Sequence, residues 1–462
     1  MNYNDTIVAL ATPSGVGAIG VIRVSGNNAI SISNNLFKPL NNKSLLDQPT
    51  HTIHLGHIYD DDRALDEVLL SIFKDPKSYT GENVVEVSCH GSHYIQSEII
   101  QLFIRNGCRA ANPGEFTLRA FLNGKIDLSQ AEAVADLIAS DSESSHKIAL
   151  QQMRGGFSNK IKELRDELID FASLIELELD FSGEDVDFAD LEKFESLLNR
   201  ISDVLKYLID SFSTGNVIKS GVPISIVGEP NVGKSTLLNL LLDDEKAIVS
   251  DIAGTTRDAI EDELIIDGIK FRFIDTAGIR KTDNLVESIG IKKTFKKMKD
   301  SRVILYMLDC GKLKNNDVTN LITEIKKIIN NYSEKHFIIV FNKIELIKND
   351  GIIDLFKDFD SVCISAKTGH GLNDLKSKLS SLLQLGKLSN NDTVITNARH
   401  YDALMRASQS INNVKKGLNT GLTGDLLSID IRESIHHFGR ITGEISTDDL
   451  LGNIFSNFCI GK

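Results

Sequence analysis

One stretch, VPISIVGEPNVGKSTLLNLLL at residues 222–242, constrains the fold of this chain more than any other. An apolar, β-rich run leads into Gly228-x-x-x-x-Gly233-Lys234-Ser235, and a leucine-rich helical segment follows. This strand–loop–helix pattern is typical of a P-loop, in which glycines let backbone N–H groups approach phosphate oxygens. Lys234 is expected to reach the outer phosphates and Ser235 to ligate Mg²⁺. The stretch therefore predicts a nucleotide-binding α/β domain.

Two motifs further along fit the same kind of site. KFRFIDTAG ends a predicted strand and would place Asp275 near the magnesium and Gly278 near the γ-phosphate. Thr256, in SDIAGTTRD, is a candidate to supply a second hydroxyl ligand to Mg²⁺ from a switch loop. The motifs therefore predict a magnesium-dependent nucleoside triphosphatase.

The base is indicated by two later loops. Asn342-Lys343-Ile344-Glu345 and Ser365-Ala366-Lys367 resemble the guanine-reading loops of GTPases. Glu345 stands where such loops ordinarily carry Asp, so a carboxylate is retained one methylene further out. We therefore predict that the chain prefers GTP. The predicted GTP-binding residues outside the first loop are Ser250, Asp251, Ile252, Ala253, Gly254, Thr255, Thr256, Asp275, Thr276, Ala277, Gly278, Asn342, Lys343, Glu345, Ser365 and Ala366. Within the first loop they are Asn231, Val232, Gly233, Lys234, Ser235 and Thr236.

One absence in the switch region matters for the chemistry. In many small GTPases a Gln follows the Asp-x-x-Gly motif and orients the attacking water. Here that position holds Ile279, which cannot hydrogen-bond water. Asn231 could supply an oxygen ligand to a monovalent cation that replaces an arginine finger, or it could only stabilise the loop; its residue type favours neither interpretation.

The regions around this motif alternate between two kinds of pattern. The runs TIVALATP, AIGVIRVSG and NVVEVSCHG predict a mixed α/β domain over residues 1–120. Apolar residues at helical spacing, without Pro, predict long amphipathic helices over 121–216. Alternating strands and helices over 217–385 predict a mostly parallel sheet, and the helical period returns over 386–462. We therefore predict an α/β unit inserted into one helical domain that is built from two chain segments.

The chain ends on SNFCIGK, which raises the question of what Cys459 does there. A prenylation box fits poorly because Gly461 is not aliphatic, and a frayed tail is the default for a terminus. Ser446 and Asp449 have capping-box spacing, however, and predict a helix just before the tail. Its predicted apolar face is Leu450, Leu451, Ile454, Phe455 and Phe458. A packed helix would therefore deliver the cysteine to a defined place.

Composition limits the partners and the compartment. The net charge of −13 does not attract nucleic acid through the overall field, so an RNA partner needs a local basic patch or a second protein. The lysines of 292–299 form such a run, although a solvated helix face explains them better. Five scattered cysteines without a Cys-x-x-Cys pair argue against zinc and disulfides. Without a signal peptide or an apolar span, we expect a cytoplasmic protein that contacts neither membrane nor DNA.

Over essentially its whole length the chain resembles the MnmE (TrmE) family of tRNA-modification GTPases. The resemblance includes DTIVALATPSGVGAIGVIRVSG, GEFTLRAFLNGKIDLSQAEAVADLI, IVSDIAGTTRDAIED, IDTAGIRKTDNLVESIGI and the terminal STDDLLGNIFSNFCIGK. It implies an N-terminal α/β folate-binding-like domain that dimerises, a helical domain, and an inserted Ras-like P-loop GTPase domain.

The resemblance also implies roles in the GTPase site. Asn231 matches the family's potassium ligand, and Ser250, Ile252 and Thr255 match the loop that completes the K⁺ site. Ser235 and Thr256 match the Mg²⁺ ligands. Glu287 matches the glutamate that orients water in place of the missing Gln, although by itself it would be a solvated residue at a helix start.

For the N-terminal domain, the resemblance implies a site for a 5-formyl-tetrahydrofolate-type carrier. Arg23, Glu82, Lys125 and Lys462 match its folate contacts, although Arg23 and Lys125 alone would be ordinary surface cations. Cys459 would lie near the folate as a nucleophile or proton donor. The implied reaction adds an aminomethyl or carboxymethylaminomethyl group to carbon 5 of the wobble uridine of certain tRNAs. A homodimer would act with the flavoprotein MnmG, in a heterotetramer or larger complex, with FAD bound to MnmG.

Two other functions remain open on the sequence. A ribosome-assembly or RNA-chaperone GTPase shares the nucleotide motifs but predicts a basic RNA-binding appendage. A stand-alone folate-dependent aminomethyl transferase would use the GTPase domain only for regulation. The GTPase rate in potassium against sodium separates the first alternative, and tRNA modification with and without the flavoprotein separates the second.

Overall fold

The computed structural model describes residues 5–180, 191–246, 262–274, 298–313, 315–347, 351–382, 393–456 and 458–461 of the 462. By their internal contacts they group into two compact units. The first comprises Met1–Ile138, Leu150–Leu205 and Asp402–Lys462, and the second comprises Ala139–Ala149 and Lys206–Tyr401. The four domain boundaries expected from the sequence stay a prediction, because this grouping does not resolve four domains.

The first unit contains a seven-stranded sheet in the order β3-β4-β5-β6-β2-β1-β7. All its neighbours are antiparallel except β1 and β7, which are parallel. The strands are β1 Thr6–Leu10, β2 Ile19–Ser25, β3 Phe37–Pro39, β4 Thr52–Asp60, β5 Arg63–Phe73, β6 Val84–His90 and β7 Cys108–Ala110. The three β-rich runs identified in the sequence form β1, β2 and β6, which confirms the mixed α/β prediction for this region.

Helices cover this sheet and continue into the helical stretches. Those that accompany the sheet are α1 Ala29–Leu36, α2 His93–Arg105 and α3 Glu115–Leu122, with a 3₁₀ turn at Leu45–Asp47. The helices that follow are α4 Leu128–Ala139, α5 Glu143–Met153, α6 Gly156–Asp180 and α7 Leu191–Ser220. Val8, Ile22, Val87, Ile99 and Phe103 belong to the buried core formed by the sheet and its helices.

The apolar helical spacing of LSQAEAVADLIASDSESSHKIALQQM, residues 128–153, is divided between two helices, α4 and α5. They separate at Ser142, whose hydroxyl accepts a hydrogen bond from the Ser145 N–H at 3.2 Å. A serine side chain that satisfies a free N–H caps a new helix, and here it outweighs the continuous helical period.

The second unit is built on a six-stranded sheet in the order β13-β12-β11-β8-β10-β9. Only the β9–β10 pair is antiparallel, as expected for a mostly parallel Ras-like sheet. The strands are β8 Val222–Gly228, β9 Asp262–Ile266, β10 Ile269–Phe273, β11 Val303–Asp309, β12 His336–Asn342 and β13 Ser361–Cys363. The described helices of this region are α8 Lys234–Lys246, α9 Asn315–Asn331, α10 Gly351–Asp354 and α11 Leu372–Leu382, with a 3₁₀ turn at Ile344–Leu346.

The chain then returns to helices α12 Ala398–Asn419, α13 Gly424–Thr442 and α14 Asp448–Ser456. Helix α13 packs along α6, which lies on the other side of the α/β insertion in the sequence. This contact confirms that the helical region is built from two chain segments.

The N-cap of helix α14 lies one residue later than the sequence predicted. Thr447, rather than Ser446, accepts the hydrogen bond from the Leu450 N–H, at 3.3 Å. Asp448 and Asp449 occupy the first turn, where the helix dipole favours negative charge. The expected apolar face is confirmed for four of its five residues, since Leu451 and Phe455 are buried in a cluster with Ile454 and Phe458, while Leu450 is outside that cluster.

Candidate functional site

The P-loop backbone requires glycine at two positions. A Cβ on Gly228, at the end of β8, would lie 2.5 Å from the Met307 carbonyl oxygen. Gly233 has φ +102°, and its Cβ would lie 2.3 Å from Asn342 Nδ2. The loop therefore passes close to β11 and β12 and presents its backbone at the start of α8, a geometry that suits an anion.

Lys234 folds back over this loop. Its Nζ donates hydrogen bonds to the carbonyl oxygens of Gly228, at 2.8 Å, and Glu229, at 2.7 Å. Ser235 and Thr236 follow in the first turn of α8 and are exposed. The ammonium group and the Ser235 hydroxyl thus lie at the same end of the helix, as phosphate and Mg²⁺ binding would require.

A chain of two contacts fixes Asn231. Asn231 adopts φ +61°, a left-handed conformation that Asn tolerates better than most residues. Lys343 Nζ donates to the Asn231 carbonyl oxygen at 3.0 Å and pairs with Asp309 Oδ2 at 2.6 Å. The lysine of the Asn-Lys-Ile-Glu loop therefore braces the P-loop, with Asp309 as its anchor.

Asn342 joins the P-loop to the second base-reading loop. Its side chain is buried, with 2% of the residue exposed. Nδ2 donates to the Val232 carbonyl oxygen at 2.7 Å, and Oδ1 accepts from the Ala366 N–H at 2.9 Å. The structure thus brings together the three described loops that the sequence assigned to GTP.

Glu345 lies exposed on the 3₁₀ turn that follows Lys343. Its own backbone N–H, together with the positive charges of Lys367 and Lys343, lowers the pKa of this carboxyl group. An ionised carboxylate in this position can accept two hydrogen bonds from the N–H edge of guanine.

Several predicted site residues lie outside the described residues. They are Ser250, Asp251, Ile252, Ala253, Gly254, Thr255, Thr256, Asp275, Thr276, Ala277, Gly278, Glu287 and Lys462. The described part of the chain holds no group of three or more His, Cys, Asp or Glu side chains placed to bind a metal ion.

A second candidate site is a cavity of about 410 Å³ beside the first sheet. Two of the predicted folate-binding residues, Glu82 and Lys125, line it. The full lining is Asn27, Asp75, Pro76, Gly81, Glu82, Arg119, Leu122, Asn123 and Lys125. Lys125 Nζ donates to the Pro76 carbonyl oxygen at 3.0 Å. The cavity offers carboxylate, cationic and amide groups, which fits a polar heterocycle with an anionic tail.

Hydrogen-bond donors on Ser25 and Arg119 hold the Glu82 carboxylate. The Ser25 hydroxyl donates to Glu82 Oε2 at 2.7 Å, so its own oxygen accepts from the Thr80 hydroxyl, also at 2.7 Å. Arg119 Nη1 donates to both Glu82 oxygens, at 3.2 and 3.3 Å. The carboxylate therefore keeps a fixed orientation toward the cavity.

Arg119 is the centre of a buried charge network. Only 1% of its side chain is exposed, and it pairs with Asp5 at 2.6 Å and Glu115 at 3.0 Å in addition to Glu82. Arg109 connects to the same Asp5 and Glu115. Burial would raise the pKa of Glu115, but hydrogen bonds from Arg109, the Asn112 N–H and Arg119 outweigh it and hold that pKa below its usual value.

This network predicts how stability depends on pH. Because the pKa of Glu115 is lowered in the folded state, its stabilisation is complete above an ordinary carboxyl pKa of 4.5 and is lost as pH falls through the folded-state pKa. We expect the unfolding temperature of the parent, followed by calorimetry, to fall more steeply below about pH 5 than that of a Glu115→Gln variant. Glu195→Gln, at an exposed helix position, is the control and should follow the parent. Parallel curves for the parent and Glu115→Gln would contradict the prediction.

Arg23, the third predicted folate residue described, does not line the cavity. It pairs with Glu86 at 2.8 Å and lies over the rings of Tyr79 and Phe116, at 5.3 and 5.7 Å from their centroids. Its Nη1 donates to the carbonyl oxygen of Gly461 at 3.3 Å. Arg23 therefore contacts the C-terminal tail, whereas Glu82 and Lys125 line the cavity.

The five cysteines differ sharply in environment. All are free thiols, and Cys459 is the exposed one. Burial raises the pKa of Cys89 to about 11, and those of Cys108 and Cys310 to about 12. Cys363 is half-buried and its pKa is also raised by burial. Cys459 is thus the thiol most accessible to chemistry.

Comparison with known proteins decides the family. Residues 6–125 match the family described as the GTP-binding protein TrmE N-terminus, and residues 128–459 match the MnmE helical domain. The chain belongs to the MnmE family of tRNA modification GTPases. Two relatives named tRNA modification GTPase MnmE, from Flavobacterium johnsoniae and Flavobacterium psychrophilum, are each 60% identical over all of this chain and all of their own length. That from Christiangramia forsetii is 58% identical over the same shares.

Among solved structures, the FeoB G-domain from Methanococcus jannaschii is 24% identical and covers 35% of this chain and 97% of its own. Its TM-score is 0.25.

Sequence reasoning missed two residues that build these sites. Asp309 anchors Lys343, and its signal was a carboxylate at the end of the apolar strand VILYMLD, where side chains of parallel strands meet ligands. Arg119 orients Glu82, and its signal was a single cation inside the apolar helix EFTLRAFL. A charge at an apolar helix position is buried only with partners, so it indicates a network.

Proposed function

We propose that this protein is a potassium-dependent GTPase that acts with the flavoprotein MnmG on tRNA. The pair would add an aminomethyl or carboxymethylaminomethyl group to carbon 5 of the wobble uridine, with a tetrahydrofolate one-carbon donor. Membership of the MnmE family supports a GTPase that acts in tRNA modification. The contact of Lys343 with the Asn231 carbonyl oxygen, which holds the P-loop in place, supports a cation beside the phosphates. We further propose that it is a cytoplasmic homodimer. The described helices include none that is long and apolar enough to span a membrane.

In the nucleotide site, this chain's residues would bind and orient GTP. The P-loop backbone and Lys234 would hold the phosphates, and Asn342 and Glu345 would read guanine. Ser235 and Thr256 would hold Mg²⁺, while Asn231, Ser250, Ile252 and Thr255 would hold K⁺. The two cations would supply positive charge to the phosphate oxygens, which arginine fingers supply in other GTPases. Glu287 would orient the attacking water.

In the N-terminal unit, the cavity would hold the reduced folate. Glu82 would accept hydrogen bonds from the N–H edge of the pterin, and Lys125 would neutralise the anionic tail. The fixed Glu82 carboxylate supports this assignment, because an acceptor that is oriented before binding costs less to order on binding. Arg23 and Lys462 would also contact the folate, and Cys459 would lie near it as a nucleophile or proton donor.

The ion dependence of hydrolysis tests this function. With Mg²⁺ and GTP present, we expect phosphate release to be at least about tenfold slower in Na⁺ than in K⁺, because a lost charge at the phosphates raises the barrier by about 1.4 kcal/mol or more. An Asn231→Ala variant should lose the difference between the two ions. Equal rates in K⁺ and Na⁺ would favour the ribosome-assembly GTPase. Modification without the flavoprotein would favour the stand-alone transferase.

A further inference from the structure

A short piece of the first helical stretch belongs to the unit that carries the P-loop. Residues 139–149, which include the start of α5, group with that unit, while the chain on both sides of them groups with the first unit. Ile148 is buried in the core of the second unit, in one cluster with Leu264 and Ile269 of the β9–β10 hairpin. Segment 139–149 is therefore packed on this hairpin, although it precedes α6 and α7 in the sequence.

Lys270, in β10, holds segment 139–149 to the hairpin by charge. Its Nζ pairs with Asp141 Oδ2 at 2.7 Å and with Glu263 Oε2, on the neighbouring strand β9, at 2.6 Å. Burial alone would lower the pKa of Lys270, but hydrogen bonds with the two carboxylates outweigh it and raise that pKa. The ammonium group is therefore charged and is shared between the segment and the hairpin.

Backbone contacts at the turn of the hairpin add to the ion pairs. Asp267 and Gly268 have φ +49° and +73°, as in the two-residue turns that join tight hairpins. The Ser144 N–H, at the start of α5, donates to the Gly268 carbonyl oxygen at 3.2 Å. A Cβ on Gly268 would lie 3.2 Å from Glu143 Cβ, so the start of the helix lies directly against the turn. Charge and backbone thus hold the same end of the hairpin.

The held end of the hairpin lies away from the nucleotide site. Strand β10 runs parallel to β8, with Phe271 beside Val222 at the start of β8. The P-loop begins at Gly228, at the other end of β8, and a strand rises about 3.3 Å per residue, so Lys270 lies roughly 20 Å from the P-loop. The opposite ends of β9 and β10 lead to SDIAGTTRD and IDTAG, the motifs expected to meet Mg²⁺ and the γ-phosphate. The hairpin therefore connects segment 139–149 to both motifs.

We propose that Lys270 and Asp141 are positioning residues that link the β9–β10 hairpin to segment 139–149, and that this link couples the nucleotide site to the chain on either side of the segment. GTP hydrolysis does not use the link, because it lies at the end of the sheet away from the phosphates. The reaction on tRNA uses it, because the segment continues into the first unit at both of its ends. The consequence for tRNA modification rests on the proposed function, whereas the response of the segment to nucleotide does not.

Hydrogen exchange followed by mass spectrometry tests the link in the full-length protein. The protein is compared without nucleotide and with a non-hydrolysable GTP analogue, Mg²⁺ and K⁺. In the parent, we expect exchange of the peptide that covers 139–149 to differ by about fivefold or more between the two conditions, the lower end of the usual coupling between two sites. Lys270→Met and Asp141→Asn should lose this difference.

The substitutions and their control are matched in chemistry. Met keeps most of the apolar stem of Lys270, and the two carboxylates that lose the ammonium group are 46% and 49% exposed, so water can solvate them. Lys147→Met removes an exposed lysine of α5 that pairs only with Glu143 of the same helix, at 2.7 Å, among the contacts of the described residues. This control should keep the parental response. An unresponsive parent, or a parental response in Lys270→Met, would overturn the proposal.

A charge exchange separates the link from a general loss of stability. Asp141→Lys and Lys270→Asp each place like charges together, and the double variant restores an opposite pair at the same two positions. We expect each single variant to lose the response of segment 139–149 to nucleotide and the double variant to regain at least part of it. Recovery of nothing in the double variant would show that the ion pair does not carry the coupling.

The reaction on tRNA shows what the link does. With the flavoprotein present, Lys270→Met should hydrolyse GTP at the parental rate and modify the wobble uridine about tenfold more slowly, a loss within the usual range of coupling energies. Parental modification, or equal losses in both reactions, would overturn this part of the proposal. If the parent itself modifies no tRNA, the proposed function fails, and hydrogen exchange still decides whether the hairpin is coupled to the segment.

Discussion

Replacement of Lys234 by Ala is expected to slow GTP hydrolysis by about 10²–10³-fold, the usual cost of removing one charged or hydrogen-bonding group that stabilises a transition state. Lys234 stands at the start of α8 and its Nζ reaches back across the P-loop carbonyls of Gly228 and Glu229. An ammonium group in that position would neutralise charge on the outer phosphates, and Ala would leave that charge uncompensated. Phosphate release under multiple turnover measures the effect.

The control is another lysine near the same loop. Lys312 is exposed and pairs with Glu229 at 3.6 Å, so Lys312→Ala removes the same charge without touching the cradle. Such exposed pairs contribute about 0–1 kcal/mol, and the rate should stay within about twofold of the parent. If both variants hydrolyse GTP at the parental rate, the nucleotide site has been placed on the wrong loop.

The P-loop could be predicted from the sequence because its local glycine spacing and the fold around it require the same residues. Gly228 sits where the Met307 carbonyl oxygen approaches and Gly233 where the Asn342 side chain approaches, so the spacing of the two glycines already encoded the loop. The Asp309 contact with Lys343 was not accessible in the same way, since it joins residues 34 positions apart through the pairing of two strands.

Other differences trace to competition between local signals. Ser142 and Thr447 are short polar residues within helical patterns, and each provides a cap that the apolar period cannot place to the residue. Arg23 contacts the C-terminal tail because strand β2 meets the chain's last residues. Arg23 and Gly461 are 438 positions apart in the sequence. Such a contact has no local signature.

Replacement of Arg119 by Met should destabilise the N-terminal unit by about 3–5 kcal/mol, the usual cost of removing one partner from a buried ion pair. Met fills much of the volume but leaves Glu82 without the cation it pairs with, while Asp5 and Glu115 keep Arg109 and lose only the contact with Arg119. We expect a lower unfolding midpoint in urea, followed by far-ultraviolet circular dichroism of the full chain, and weaker binding of tetrahydrofolate.

Two further variants separate charge from packing at this position. Arg105→Met removes an exposed guanidinium and should leave the midpoint unchanged. Glu82→Gln in the Arg119→Met background should recover part of the lost stability, because it removes a carboxylate that has lost its cation. If Arg119→Met unfolds at the parental midpoint, the network is not what orients Glu82. If it unfolds early and Glu82→Gln recovers nothing, the loss comes from packing, and Ser25 with Thr80 is then the group that fixes the cavity carboxylate.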